Sequence, residues 1–208
     1  MNTTSVLAPW LAAKKYSISN KNGNRSSKRT DKLNKIFIGS LLRTIFSEAK
    51  GYEIKTECSI ECAYGGKFKM DVVVYKEEKI VAMFPLKAIE RSYNKNRFNF
   101  ANTIVGEAYR IWGTPGLTDR EKTFVAAVDW IPYEVPVSEG KSEKTKPAII
   151  SSENLTKIVT SFGYPNSKHT SIKIQFNYDK ETGKIVNIDE KPIANFIEDL
   201  IEWEKNFE

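Results

Sequence analysis

The sequence is poor in cysteine and histidine and contains no long apolar run. Cys58 and Cys62 are its only cysteines and His169 is its only histidine, so a tetrahedral zinc site lacks ligands. We expect both thiols to be free and buried, as in cytoplasmic proteins. No apolar stretch approaches the roughly 20 residues that cross a bilayer. The first residues also lack the basic and apolar regions of a signal peptide, which predicts a cytoplasmic protein with no membrane partner.

Two common catalytic signatures are also missing. The sequence has no glycine-rich phosphate-binding loop and no nucleophile elbow around a serine. His169 stands alone between Lys168 and Thr170, in a polar stretch that predicts an exposed side chain. These absences argue against a P-loop nucleotide hydrolase and against an α/β-hydrolase.

The length and composition fit one globular domain. The chain has 208 residues, of which 40% are hydrophobic and 28% charged, and this length can bury one sizeable core. We predict a basic N-terminal arm over residues 1–30 and a single domain over residues 31–208. Within that domain we place a core at about 31–130 and a C-terminal hairpin and helix at 170–206.

The positive charge is concentrated near the start of the chain. The formal net charge is +6, and eight Lys or Arg residues but one acid, Asp31, lie between Lys14 and Lys35. Such a segment favours a polyanionic partner, of which nucleic acid is the commonest. A solvated basic tail would have the same composition.

Hydrophobic periodicity predicts helices and strands in alternation. A helix is expected over about 31–49 and another from about 99, each with apolar residues at helical spacing. Strands are expected at 52–63, 68–75, 80–88, 122–130, 172–178 and 184–188. A short helix is expected at 154–162, and a final helix at the C-terminus. This order predicts an α/β (α+β) fold with a mixed central sheet flanked by helices.

An aspartate and a lysine bracket two consecutive predicted strands. Asp71 opens the apolar run DVVVY, and Lys87 ends the returning run IVAMFPLK. With a helix before them, and a helix and a buried strand after them, they resemble the core of the PD-(D/E)XK nuclease superfamily over about residues 31–130. The family motif is Asp on one strand and Asp/Glu-x-Lys on the next. Pro85 stands at the usual position of the motif acid, and Met70 replaces the motif proline.

The resemblance implies a restriction-endonuclease-like core and a Mg²⁺-dependent, sequence-specific endonuclease that hydrolyses phosphodiester bonds of double-stranded DNA. Asp71 would bind the metal, for which Mn²⁺ can substitute, and Lys87 would assist the attacking water. Because Pro85 supplies no carboxylate, Glu48 or Glu90 would complete the site. Glu107 is a further acid, although a surface pair with Arg110 would also explain it.

The resemblance to type II restriction enzymes also implies partners. Such enzymes cut symmetric sites as homodimers, and their host requires a cognate DNA methyltransferase. Contacts to DNA are expected from a segment dense in Arg, Lys and Asn that follows Lys87, and from the basic arm, since these side chains bind phosphates and base edges. The predicted contact residues are Arg91, Asn94, Lys95, Asn96, Arg97, Asn99, Lys28 and Arg29.

Two other interpretations remain open. Because Pro85 occupies the motif-acid position, the chain could be a catalytically impaired DNA-binding protein that keeps the nuclease fold. It could also be a protein-interaction module whose likeness to nucleases is accidental. Metal binding near Asp71 separates the first of these from an active enzyme, and DNA binding that depends on Arg91 or Asn96 separates the second.

Overall fold

The fold is known from a computed structural model, which describes most of the chain. The described residues are 3–20, 27–62, 65–90, 98–99, 102–103, 106–107, 109–111, 113–114, 122–139, 142–147, 169–179, 182 and 184–207. The predicted short helix at 154–162 lies outside them.

Strands and helices alternate along the described chain much as the sequence predicts. The strands are β1 Tyr52–Glu61, β2 Lys67–Lys76, β3 Lys79–Phe84, β4 Leu86–Ala88, β5 Phe124–Pro132, β6 Glu134–Glu139, β7 Ser142–Pro147, β8 His169–Tyr178 and β9 Ile185–Ile188. The helical elements are α1 Thr3–Ser19, α2 Ser27–Phe37, a π-helical turn Ile38–Leu42, a further α-helical turn Arg43–Ile45, a 3₁₀ turn Glu48–Lys50 and the C-terminal helix Lys191–Lys205. The described residues between 98 and 111 are also helical.

The central sheet is mixed, as expected. It has seven strands in the order β1-β2-β3-β5-β8-β9, with β4 paired to β5 beside β3. The β1–β2, β2–β3 and β8–β9 pairs are antiparallel, whereas β5 runs parallel to β3, β4 and β8. Every residue of β5 is buried, which agrees with a central strand covered on both faces.

Two apolar clusters cover the two faces of this sheet. The larger cluster includes Val72, Phe84 and Trp130 and packs under α1, α2 and the C-terminal helix. The smaller cluster includes Val73, Met83 and Val125 and packs against Ile111. We call these the first face and the second face. Because side chains alternate along a strand, neighbouring residues lie on opposite faces.

Most of the first 20 residues of the predicted basic arm form helix α1. Val6, Leu7, Trp10 and Ala13 of α1 are buried against the first face. The Trp10 indole Nε1 donates to the Ile89 carbonyl at 2.8 Å, and the Trp130 indole Nε1 donates to the Val6 carbonyl at 2.8 Å. These contacts tie α1 to β5 and to the end of β4. Among the helices described, none is long and apolar enough to cross a membrane.

The helix predicted over 31–49 contains a π-helical turn that its sequence explains. Its buried residues recur every four positions, at 33, 37, 41 and 45 and at 34, 38, 42 and 46. In an α-helix with 3.6 residues per turn, residues four apart drift around the axis by roughly 40°. The wider turn Ile38–Leu42 corrects this drift. The same side of the helix therefore faces the sheet from Leu33 to Phe46.

One stretch that the sequence predicts as a long loop, beyond Ile131, holds a second sheet. Strands β6 and β7 form an antiparallel pair with Glu134 opposite Pro147 and Glu139 opposite Ser142. The prolines and polar residues of this stretch favoured a loop. Proline is tolerated here because a two-stranded ribbon has only edge strands.

Candidate active site

The apolar side chains of the β1–β2 ribbon switch from one face of the sheet to the other at Glu57 and Asp71. Thr56 pairs with Val72 and Cys58 pairs with Met70, so the register places Glu57 opposite Asp71. On one side of this pair, Ile54 and Val72 pack on the first face, whereas Ile60 and Met70 beyond it pack on the second. Glu57 adopts a left-handed backbone conformation, φ 52°, which is uncommon for a residue with a side chain. The ladder is thus interrupted at Asp71 without a change of register.

The neighbouring strand is interrupted at the same level by Pro85. Val72 pairs with Phe84, so the β2–β3 register places Pro85 opposite Asp71. Beyond Pro85 the chain continues as β4, which pairs with β5. The Leu86 main-chain N–H donates a 2.7 Å hydrogen bond to Asp71 Oδ2. Asp71 therefore lies where β2 and β4 separate, with its carboxylate in the opening between them.

Lys87 belongs to a row of charged residues across three adjacent strands. It pairs with Asp129 of β5, and Asp129 pairs with Lys173 of β8. Paired residues of adjacent strands share a face and lie about 5 Å apart. The neighbours Leu86, Val128 and Ile172 belong to the cluster on the first face, so Lys87, Asp129 and Lys173 point to the second face. The row alternates in charge as lysine, aspartate and lysine.

Glu107 approaches this row from the helical residues above the second face. Ile111 is fully buried in the cluster of that face. Glu107 precedes Ile111 by four residues and so lies on the same side of the helix, one turn earlier. It is partly buried and interacts electrostatically with Lys87, Asp71 and Asp129. A surface pair with Arg110, the alternative considered from sequence, is the weakest of these interactions.

Burial raises the pKa values of three carboxyl groups of this site towards neutral pH. It raises the pKa of Asp71 to about 6, against the opposing effects of the Leu86 N–H and Lys87, with the Glu57 charge adding to the rise. It also raises the pKa of Asp129 to about 6, although Lys87 and Lys173 oppose the shift. Burial, together with the charges of Asp71 and Asp129, raises the pKa of Glu107 to about 7, against Lys87 and Arg110. Near neutral pH, Glu107 is thus the last of the three to ionise.

The two other acids expected from the sequence lie elsewhere. Glu48 is exposed in the 3₁₀ turn before β1. Five residues of extended strand, roughly 16 Å, separate the start of β1 from Glu57. The Glu90 carboxylate accepts a 2.6 Å hydrogen bond from Arg29 Nε and a 2.9 Å bond from Ser17 Oγ, and it lies 3.8 Å from Lys14 Nζ. Glu90 therefore joins α1 and α2 to the end of β4.

The predicted DNA contacts fall mostly in a part of the chain that is not described. Arg91, Asn94, Lys95, Asn96 and Arg97 lie outside the described residues, directly after β4. Asn99 is exposed in the helical stretch that carries Glu107, and Lys28 is exposed on α2. Arg29 is used internally, since its Nη2 also donates to the Ala88 carbonyl at 2.7 Å.

Sequence reasoning overlooked Asp129 and gave Glu107 too little weight. Asp129 is the one acid in the predicted strand KTFVAAVDW, and an acid in a strand buried on both faces carries a desolvation cost that calls for a reason. That signal was present in the sequence. The position of Glu107 over Lys87 depends on the packing of Ile111 against the second face, which no local pattern reveals.

The oxygen donors of the site suit a hard divalent cation. Asp71 and Glu107 are carboxylates whose charges repel each other, and bringing a cation between them would remove that repulsion. Within the described parts of the chain, no three His, Cys, Asp or Glu residues already stand close enough to enclose an ion. Magnesium does not require such a cage, because it usually keeps several waters and binds one or two carboxylates together with substrate phosphates.

Comparison with known proteins returns no match: neither a family model, nor a curated protein sequence, nor a solved structure resembles the chain significantly. The assignment of function therefore depends on the residues of the site themselves.

Proposed function

We propose that the protein is a Mg²⁺-dependent endonuclease that hydrolyses double-stranded DNA, of the type II restriction kind. The observation that carries the proposal is the meeting of Lys87 with three acids, Asp71, Glu107 and Asp129, at the point where the sheet separates. A lysine among buried carboxyl groups with raised pKa values is typical of functional sites. The resemblance to the PD-(D/E)XK core supplies the reaction class.

The acid that the motif lacks at Pro85 is supplied in this proposal by Glu107. Asp71 and Glu107 would hold the metal, and Asp129 would hold the Lys87 ammonium from the adjacent strand. Magnesium, when bound, supplies positive charge that neutralises the scissile phosphate and acidifies the attacking water. Glu48 and Glu90 have no place in this site, because the first is remote and the second is bonded to Arg29.

Lys87 stabilises charge during the reaction. The oxygen of a water attacks phosphorus and the water gives up a proton, while the phosphorus–oxygen ester bond breaks and the leaving oxygen takes up a proton. Negative charge grows on the phosphoryl oxygens as this happens, and a fixed ammonium group lowers the barrier more when it is shielded from water. Lys87 is partly buried between the acids that surround it. Its charge also acts on Asp71, whose pKa it lowers.

The surface of α2 supports a polyanionic substrate. Lys28, Lys32, Lys35 and Arg43 are exposed, and the π-helical turn keeps Arg43 on the same side as Lys35. We call these four residues the basic ridge. They lie on the outer side of the helix whose inner side reaches Asp71 through Asn34. The ridge would add electrostatic attraction for the phosphates of a DNA substrate.

Pro85 favours a second candidate function, a DNA-binding protein with a nuclease fold and no catalysis. A proline opposite Asp71 leaves the motif position without an acid, and one oxygen of Asp71 already accepts a hydrogen bond from Leu86. The same basic ridge would bind DNA. Metal binding decides between the two functions, since only the endonuclease needs it.

The test is incubation of the purified protein with unmodified plasmid and phage DNA, in the presence of Mg²⁺, Mn²⁺ or EDTA. We expect discrete fragments with either metal and none with EDTA. Lys87→Ala should remove cleavage and keep gel-shift binding, whereas Lys184→Ala, an exposed lysine before β9, should change neither. Binding without cleavage by the wild-type protein would establish the second function instead. If cleavage occurs, the enzyme is expected to act as a homodimer in the cytoplasm, beside a protecting DNA methyltransferase.

A further inference from the structure

Asn34 is a buried polar residue in an otherwise apolar helix face. Its neighbours on that face, Leu33, Phe37 and Ile38, pack on the sheet, and the Asn34 side chain is fully buried with them. Burying an amide is costly unless its hydrogen bonds are made. The Asn34 Nδ2 donates to Glu57 Oε1 at 3.0 Å and to the Asp71 main-chain carbonyl at 3.3 Å. One amide nitrogen thus joins both members of the interrupted pair.

The contact to Asp71 replaces a bond that the strands do not make. The β1–β2 ladder continues on either side of Glu57 and Asp71 and is broken between them, because the left-handed backbone of Glu57 turns its peptide groups away. A buried main-chain carbonyl requires a partner. Asn34 supplies this partner from the helix above, and the same amide keeps the Glu57 carboxylate beside Asp71.

The orientation of the Asn34 amide is fixed by these partners. Both of its contacts are acceptors, so the nitrogen must face them, and a flipped amide would set three oxygens against one another. The Asn34 Oδ1 is then left buried without a hydrogen-bond partner in the described part of the chain. An apolar residue at this position would leave the Asp71 carbonyl and the Glu57 carboxylate without this donor. The two contacts of the amide nitrogen therefore account for a buried asparagine beside the candidate site.

We propose that Asn34 is a positioning residue of the site, which fixes the main chain of Asp71 and the carboxylate of Glu57 on either side of the ladder break. The proposal rests on the endonuclease function proposed above and adds two residues to it. Asp71 is then held from three directions. Leu86 N–H holds its carboxylate, Asn34 holds its carbonyl, and the ladders of β1 and β2 hold the strand on either side. Such support of a metal ligand typically changes affinity or activity by 10- to 100-fold when lost.

The test compares Asn34→Leu, which keeps the branched shape and removes the amide, with Asn34→Gln, which keeps the amide on a longer chain. Cleavage rate at saturating DNA, KM for DNA and the Mg²⁺ concentration for half-maximal rate would be measured for each. We expect Asn34→Leu to lower kcat and raise the Mg²⁺ requirement about 10-fold or more, with KM for DNA unchanged and Asn34→Gln partly restoring both. A folded Asn34→Leu protein with wild-type Mg²⁺ dependence and kcat would overturn the proposal.

Glu57 provides an independent check. Glu57→Gly keeps the left-handed backbone, which glycine adopts readily, and removes the carboxylate. If Asn34 acts through Glu57, the double variant Asn34→Leu/Glu57→Gly should lose little more activity than the worse single variant. Additive losses would mean that the two residues act separately and would overturn the link.

A metal-binding measurement separates this proposal from the function on which it rests. Titration of Mn²⁺ into the DNA-free protein would be followed by calorimetry for the wild type, Asn34→Leu and Asp71→Asn. Binding lost in Asp71→Asn and weakened in Asn34→Leu supports both proposals. Binding lost in Asp71→Asn and unchanged in Asn34→Leu overturns the role of Asn34 alone. No binding and no cleavage by the wild type overturns the endonuclease and, with it, the positioning role.

Discussion

Pro85 lies directly opposite Asp71 in the register of β2 and β3, and the residue after the proline donates its N–H to the Asp71 carboxylate. The position that would carry the motif acid in the PD-(D/E)XK family therefore faces the aspartate that matches the motif. Strand β3 ends before the proline. The first N–H of β4, that of Leu86, is directed at the Asp71 carboxylate and not at a neighbouring strand. Pro85 thus supplies no carboxylate opposite Asp71, and it also shapes the opening in which Asp71 lies.

Substituting Pro85 by glutamate tests this placement. We expect Pro85→Glu to raise Mg²⁺-dependent cleavage, because a carboxylate opposite Asp71 would add an oxygen ligand beside it. The measurement is the initial cleavage rate as a function of Mg²⁺ concentration. Pro85→Gln is the matched control, since it has the same shape without the charge. Equal rates for the two variants would show that residue 85 does not face the metal.

Glu107 is expected to be essential, whereas Glu48 and Glu90 are not. Glu107→Gln should lower the cleavage rate by two orders of magnitude or more, because half of the proposed carboxylate pair is lost.

Glu48→Gln should leave rate and stability unchanged, since Glu48 is exposed. Glu90→Gln should keep most activity but lower the unfolding free energy by about 1–3 kcal/mol, because the partly buried charge of Arg29 loses its anionic partner. Cleavage assays and urea denaturation distinguish the three; full activity in Glu107→Gln would refute its role.

The raised carboxyl pKa values predict how stability depends on pH. When a carboxyl group has a higher pKa in the folded state, that state binds the proton more tightly. The unfolding free energy is then greatest below the unfolded pKa, near 4, and falls as pH rises to the folded values of about 6 for Asp71 and Asp129 and about 7 for Glu107. We therefore expect these groups to lower the unfolding free energy of the metal-free protein progressively between about pH 4 and pH 7.

Asp129→Asn isolates one part of this effect. The substitution should raise the unfolding free energy at pH 8, by up to about 3 kcal/mol, and by much less at pH 5, where the wild-type residue is mostly protonated. Urea denaturation at the two pH values measures the difference. Mg²⁺ should stabilise the wild type more at pH 8 than at pH 5, because protons compete for the same oxygens. An equal change at both pH values would mean that burial does not perturb Asp129.

The basic ridge predicts the salt dependence of DNA binding. Each phosphate contact contributes a slope of about 0.9 to the dependence of log K on log salt. Replacing Lys28, Lys32 and Lys35 together by glutamine should therefore reduce the slope by about 2–3 and weaken binding at low salt. The control replaces Lys184, Lys191 and Lys205, three exposed lysines distant from α2 in sequence. Binding would be measured in EDTA, so that the result does not depend on catalysis; equal slopes for the two triple variants would exclude the ridge.

The sequence was informative where structure is local. Periodicity located the strands of the central sheet, and the short turn between β2 and β3 placed Asp71 near the strand that ends in Lys87. Asp129 and Lys173 reach Lys87 through parallel pairings of strands distant in sequence, which a local pattern does not specify. The helical form of α1 was not predicted either, since only a basic arm was assigned to residues 1–30. Its stability comes from tertiary contacts such as those of Trp10.

The π-helical turn makes the length of its helix adjustable by one residue. If Gly39 or Ser40 were deleted, the buried positions that now recur every four residues would be spaced four, three and four apart, which an uninterrupted α-helix accommodates. A side chain at Gly39 would meet no neighbour within 4 Å, and the Ser40 hydroxyl has no partner in the described part of the chain. A shortened chain could therefore keep Leu33 and Phe46 packed on the sheet. A single-residue deletion at this turn is therefore expected to leave the frame around Asp71 in place.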